Sequence, residues 1–270
     1  MLIRIAVPDL GQVPLAATRA LVAALTLLPL MLLQGLWPEF RRHWRHLLII
    51  GLISTALPFS FMSLSTQHTS AAFGSILNAL TPIFSALIAW LWLREGLTVA
   101  ALIGIVLSFA GVVVMMLDRE TLSTAIPFWP IMAGLAAALF YGVTGNYTRR
   151  YAQHFPVLLV AAGSQLFSAL FLLPVAWALW PTTPVSTVSW LAVVILGVLC
   201  TGVAYILFFN LLGKVGVART VIVTYLVPVF AMAWGYAVLG EQVTLKMLAG
   251  ATCILAGIGL TTYRHKANKA

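Results

Sequence analysis

The chain has 270 residues, 62% of them hydrophobic and 8% charged, with a formal net charge of +9 and a mean hydropathy of +1.04. A soluble domain carries about 25% charge, so a water-soluble fold is excluded and the apolar residues must face lipid or one another. The basic excess does not point to nucleic acid, because no basic stripe with interleaved aromatic residues lies on a polar face.

Crossing the hydrocarbon takes about 20 residues of helix. Nine apolar segments meet that length in chain order: 14–34, 46–65, 69–93, 98–117, 128–148, 156–180, 188–212, 216–239 and 244–263. The connections are short, and no soluble domain fits between them. Alternate loops differ in charge. One side holds Arg41, Arg42, Arg45, Arg94, Arg149, Arg150, Lys214, Arg264, Lys266 and Lys269 against Glu39 and Glu95. The other holds Arg4, Arg119 and Lys246 against Asp9, Asp118, Glu120 and Glu241. The positive-inside rule then predicts a cytoplasmic C-terminus and an external residue 1. Cys200 and Cys253 lie inside apolar runs without metal-ligand spacing, which predicts buried inert thiols. The five histidines sit near the ends of apolar runs.

The chain repeats itself. At a shift of 146, residues 72–111 align with 218–257 without a gap and 12 of 40 positions are identical, where chance predicts roughly one in ten. Upstream, AATRALVAALTLLP at 16–29 matches AAGSQLFSALFLLP at 161–174 at eight of 14 positions. This predicts an all-α polytopic membrane protein with a first repeat over 1–117, four of five helices, and a second over 128–263, five helices. A unit with an odd number of spans emerges upside down the second time, giving two inverted-topology repeats. The first helix of the leading unit would map just before residue 1. The reading frame is therefore expected to continue upstream with an apolar segment of about 20 residues.

The residues that recur are PLAATR at 14–19, the paired segments PIFSALIAWLWLREGLT and PVFAMAWGYAVLGEQVT, and the Gly-marked GIVLSFAG at 104–111 and GATCILAG at 250–257. In these the chain resembles the EamA-type transporters of the drug/metabolite transporter superfamily. The resemblance covers essentially the whole chain. It implies a ten-helix fold of two five-helix inverted repeats around a central substrate cavity, of which nine spans are present here.

Several residues are candidates for function. Pro82 and Pro228 fall mid-segment, where proline removes a backbone hydrogen bond, and are expected to be kinks, static or gating. Intramembrane Arg19 and Arg219 either snorkel to an interface or attract a substrate anion. Glu95 and Glu241 end their segments before Thr98 and Thr244, expected helix N-caps. They either bond the turn or couple a proton. Polar residues at depth include Ser54, Thr55, Gln165 and Thr224, with Asn78, Tyr141, Tyr205 and Tyr225 selected to line a wetted cavity. Amides and aromatics without carboxylates suit a small neutral, zwitterionic or amphiphilic organic substrate, with no metal and no cofactor. Paired glycines seven residues apart, Gly104 with Gly111 and Gly250 with Gly257, predict close helix packing.

The function these features favour is secondary transport of a small organic metabolite, amino acid or drug across a bacterial cytoplasmic membrane by alternating access, as an exporter. The alternative is a non-transporting scaffold or subunit, which has no need of inverted symmetry. A membrane-embedded enzyme would need a nucleophile with its base, a carboxylate pair or metal ligands, and no span offers them at depth. No P-loop is present to drive transport by ATP. Oligomeric state is left open.

Overall fold

The computed structural model describes residues 2–69, 71–94, 96, 99–116, 128–216, 220, 230, 233, 234, 236, 237 and 244–263. Every regular element among them is helical. In chain order these are α1 (Leu2–Leu10), α2 (Gln12–Leu33), α3 (Trp37–Gly51), α4 (Leu57–His68), α5 (Ala71–Asn78), α6 (Thr81–Leu93), α7 (Val99–Met116), α8 (Phe128–Tyr151), α9 (Val157–Ala178), α10 (Thr187–Gly197), α11 (Ala204–Val215) and α12 (Leu245–Tyr263). A π-helical turn, Leu52–Ala56, joins α3 to α4, and a second, Val198–Val203, joins α10 to α11. Among the described residues, five helical stretches are long and apolar enough to cross a membrane: Gln12–Leu33, Trp37–Thr66, Phe128–Tyr151, Val157–Ala178 and Thr187–Val215. Shorter apolar helices cover Thr81–Leu93, Val99–Gly111 and Leu245–Leu260.

The repeat is written into these bounds. Helices α2 and α9 are 22 residues each, and their limits differ by the 145-residue offset of the sequence match. Pro29 and Pro174 occupy the same place in them. The π-turns begin at Leu52 and Val198, 146 residues apart, and each follows a glycine, Gly51 or Gly197. A π-turn widens the helix by a residue and frees carbonyls from their usual partners. Helix α12 opens 146 residues after α7 and is capped by Thr244, whose hydroxyl accepts from the Met247 amide at 3.2 Å, as expected for an N-cap.

Packing divides the chain into two units, each drawing on both halves of the sequence. One comprises residues 64–146 and 217–270, the other 2–63 and 147–216. In the first unit α7 packs along α12. A Cβ on Gly111 would meet the Gly250 carbonyl at 2.7 Å, and one on Gly257 would strike the Gly104 carbonyl and Ser108. Ser108 also donates to the Ile254 carbonyl at 3.2 Å. Position number rises along one helix as it falls along the other, so the pair is antiparallel. Each contact is matched by its repeat equivalent. A core of Phe73, Leu77, Leu80, Ile83, Ile131, Met247, Ile254 and Ile258 lies in the same unit.

In the second unit α2 packs along α9, α3 against α9 and α10 against α2. The glycines before the π-turns make the last two approaches close. A Cβ on Gly51 would meet the Ser164 carbonyl at 2.5 Å, and one on Gly197 the Arg19 carbonyl at 3.0 Å. Arg19 and Ser164 are themselves repeat equivalents, 145 residues apart. The contact is again reciprocal.

Four expectations need correction. The span expected over 69–93 is broken: α5 stops at Asn78, two turn residues follow, and α6 starts at Thr81. Pro82 is therefore in the first turn of α6 rather than mid-helix, where its missing N–H costs nothing. The span expected at 46 begins at Trp37, because Pro38 suits a helix start and Phe40 packs inward despite the charged neighbours. Residues 2–10, expected as an external stretch ahead of the first span, form a helix of their own, α1, whose Ala6, Val7 and Leu10 are buried against Ala192, Val193 and Leu196 of α10. Cys200 is exposed and Cys253 half-buried, since Cys200 occupies the outward side of a π-turn beside exposed Leu199 and Val203. Expectations at Glu95, Thr98, Arg219, Thr224, Tyr225, Pro228 and Glu241 fall outside the described residues.

Candidate functional site

The polar residues of the second unit gather around its two π-turns. Arg19 sits two turns into α2, in a helix otherwise free of charge. Its Nε donates to Thr201 Oγ1 at 2.7 Å, and Thr201 passes the bond on to the Leu196 carbonyl at 2.7 Å, five residues back. That five-residue reach is the carbonyl displacement of a π-turn, capped by a hydroxyl. The Arg19 guanidinium carbon stands 3.8 Å from the centre of the Phe59 ring. A desolvated cation over an aromatic face gains about 2 kcal/mol.

The other π-turn carries a matching relay. Gln165 Nε2 donates to Thr55 Oγ1 at 2.9 Å, Thr55 donates to the Tyr205 hydroxyl at 2.9 Å, and Tyr205 donates to the Ser54 carbonyl at 2.5 Å. Thr55 and Thr201 are 146 residues apart, as are Phe59 and Tyr205. Each π-turn threonine thus accepts from a polar side chain of α2 or α9. One copy uses the cation of Arg19, the other the amide of Gln165. The symmetry of the backbone is kept and the chemistry is made unequal. Arg19 is within electrostatic reach of Tyr205, so the two relays form one cluster. The Gln165 carbonyl oxygen is buried and has no hydrogen-bond partner among the described residues.

Of the residues selected from sequence, Arg19 and Tyr205 come together here. Arg19 does not snorkel: its side chain is spent on Thr201 and Phe59. Asn78 and Tyr141 lie in the other unit, each half-buried, at the end of α5 and within α8. The Asn78 side-chain oxygen is buried without a partner among the described residues. Thr81 donates to the Asn78 backbone carbonyl at 2.7 Å, which satisfies a carbonyl at the end of α5. In the same unit Asn146 donates to Ser85, through its carbonyl at 2.9 Å and its hydroxyl at 3.1 Å, and to the Gly142 carbonyl at 2.9 Å.

Sequence reading misses Thr201 and Phe59. The signal is present, for at the shift of 146 Gly51 meets Gly197 and Thr55 meets Thr201. It escapes notice because two identities in so apolar a stretch do not stand out. Among the described residues no group of three or more His, Cys, Asp or Glu could hold a metal ion.

Comparison with known proteins agrees with this architecture. The family described as "EamA-like transporter family" matches residues 1–117 and 128–263. The chain is 24% identical over 260 residues to the uncharacterized transporter YvbV of Bacillus subtilis, covering 94% of this chain and 84% of the relative. It is 27% identical over 273 residues to an uncharacterized transporter of Archaeoglobus fulgidus, covering 97% and 92%. A protein of Streptantibioticus cattleyicolor named "Probable terminal-alkyne amino-acid exporter" is 28% identical over 200 residues, covering 73% and 66%. A solved crystal structure superimposes with a TM-score of 0.67 at 22% identity, covering 96% of this chain and 92% of the other. At that identity the likeness speaks for the fold alone.

Proposed function

Since this chain belongs to the EamA-like transporter family of the drug/metabolite transporter superfamily, a family of multi-pass membrane transporters rather than enzymes, we propose that it is a secondary transporter exporting a small organic molecule. The substrate class is a metabolite, amino acid or drug, and the membrane is the bacterial cytoplasmic membrane. The amino-acid exporter among its relatives supports an amine- or carboxylate-bearing solute. Residues 1–117 and 128–263 act as two inverted-topology repeats, and alternating access exchanges their roles.

The observation that carries this reading is the reciprocity of contacts. Gly111 with Gly250 mirrors Gly257 with Gly104, and Gly51 with Ser164 mirrors Gly197 with Arg19. A dyad of this kind lets one bundle take two mirrored arrangements of similar energy. Substrate engages the Arg19–Tyr205 cluster, whose π-turn relays hold a fixed cation in one copy and, in the other, a buried amide oxygen without a partner among the described residues. The topology proposed from basic-loop asymmetry puts the C-terminus in the cytoplasm.

The test is flux in vesicles of defined orientation. The full chain is reconstituted and radiolabelled amino acids and a cationic dye are followed with and without a pH gradient. Export should exceed that of empty vesicles and be lost in Arg19→Leu. Equal flux with and without protein across such a panel would reject transport of these classes.

A further inference from the structure

We propose that the start of α3 and the end of α8 form a docking surface for the headgroups of anionic phospholipids. The helical stretch Trp37–Thr66 has 30 residues, about 45 Å at 1.5 Å per residue. The hydrocarbon core takes about 30 Å. Roughly ten residues therefore project beyond it, and every charged residue and histidine of the stretch is at one end: WPEFRRHWRH, Trp37–His46. With headgroups included a bilayer is about 40–45 Å thick, so this decapeptide lies at headgroup depth.

Phe40 and Leu47 turn inward, while Arg41, Arg42 and Arg45 are exposed on the other side. Trp37 and Trp44, seven residues apart and so on one face, are 47% and 44% exposed. They are held rather than loose: Trp37 stacks on Phe40 at 5.2 Å, Phe40 on Phe167 at 5.6 Å, and Trp44 leans on Phe167. The Arg45 guanidinium lies over the Trp44 ring at 5.6 Å. The end of α8 is fastened alongside. His46 Nδ1 bonds the Tyr147 hydroxyl at 2.9 Å, and its ring stacks on Tyr151 at 5.6 Å. This brings exposed Arg149 and Arg150 to the same level, with Arg150 over Tyr151 at 5.4 Å. Five arginines thus face one acid, Glu39, within these two segments. Exposed tryptophans interleaved with planar guanidiniums at headgroup depth complement an anionic phosphate at the end of an acyl chain.

The test uses the full chain purified in neutral detergent, titrated with phosphatidylglycerol, phosphatidylcholine or inorganic phosphate. Thermal unfolding and lipid retained in native mass spectrometry are the readouts. Phosphatidylglycerol should bind roughly tenfold or more tightly than phosphatidylcholine, and this preference should shrink as salt rises. Inorganic phosphate should give no shift. Arg41→Gln/Arg42→Gln/Arg45→Gln should abolish the preference, whereas replacing the same three by Lys should keep most of it. Lys246→Gln, at the exposed start of α12, should leave it unchanged. If the Gln variant does not fold, the Lys variant and the salt dependence of the native chain decide. Equal binding of the two lipids, a preference indifferent to salt, or an equal response to free phosphate would overturn the proposal.

Discussion

Ser108 donates a hydrogen bond to the backbone carbonyl of Ile254, and Ile254 is Ser108's own counterpart in the repeat, 146 positions on. A residue that touches its equivalent lies on the axis relating the two copies. The α7–α12 seam is thus where the internal symmetry is made, and small side chains make it. In lipid no hydrophobic force drives helices together, so close packing and hydrogen bonds must do so.

Substitutions on that seam should be costly in matched pairs. In Gly257→Ala the new methyl strikes the Gly104 backbone, and in Gly111→Ala it meets the Gly250 carbonyl at 2.7 Å. Backbone cannot yield as a side chain can, so each should lose about 1–3 kcal/mol. Gly259→Ala points into open space and should be neutral or slightly stabilising. Thermal unfolding in detergent reads all three. A Gly259 variant as damaged as the Gly257 variant would refute this assignment of the seam.

Gly104, Gly111, Gly250 and Gly257 mark this seam in the sequence itself, because glycine is conspicuous among larger apolar residues. The limits of α2, α9, α7 and α12 are legible there to within two residues, since long uniform apolar runs end at charges, prolines or glycines. Two things are not. The break at Ala79–Leu80 does not show, because proline in an apolar run is compatible with a kinked helix or a new one. The π-turns do not show either, because they depend on where displaced carbonyls find hydroxyls. Of the site, Arg19 and Tyr205 can be selected as polar groups at depth. Their meeting cannot, since it depends on long-range contacts such as that of Arg19 with Thr201, 182 positions apart.

Each π-turn relay should behave as a linked system within itself. Tyr205→Phe leaves the Ser54 carbonyl and the Thr55 hydroxyl short of a partner. An unmet buried group costs about 1–3 kcal/mol. Thr55→Val breaks the same chain, so the double variant should lose clearly less than the sum. Tyr205→Phe with Thr201→Val, one from each relay, should be closer to additive. Unfolding free energies of the singles and doubles provide the check.

Asp9 should make stability depend on acid. Its Oδ2 accepts from the Ser186 hydroxyl at 2.6 Å, the Ser189 hydroxyl at 2.7 Å and the Ser186 amide at 3.2 Å, tying α1 to the cap of α10. The Ser186 hydroxyl bond first, then those of Ser189 and the Ser186 amide, hold its pKa below the ordinary 3.8. A depressed carboxylate stabilises the fold above its unfolded pKa, and that contribution fades as pH falls through the folded value. Asp9→Asn should therefore unfold at a lower temperature than the native chain at pH 7. The gap should close once the pH is well below 3.8. A gap that is constant from neutral to acid would mean that the charge on Asp9 contributes nothing.

Asn78 offers the sharpest separation of stability from activity. It closes α5 just before the break, and its side-chain oxygen is buried with no hydrogen bond among the described residues. A structure under selection for stability alone would not keep such a group, because a buried unsatisfied carbonyl costs about 1–3 kcal/mol. The cost is tolerable where a ligand or a second conformation supplies the missing donor. Asn78→Leu has nearly the same shape and removes the orphan, so it should raise the unfolding temperature. If a substrate or a second conformation supplies that donor, transport should fall in the same variant, because the donor would meet a methyl group. Asn78→Asp keeps an acceptor at the same place and should retain more flux than Leu despite unfolding earlier. Measured side by side, flux and melting temperature should run in opposite order across these two variants. If both track stability, Asn78 is a packing residue and its unmet oxygen has no part in transport.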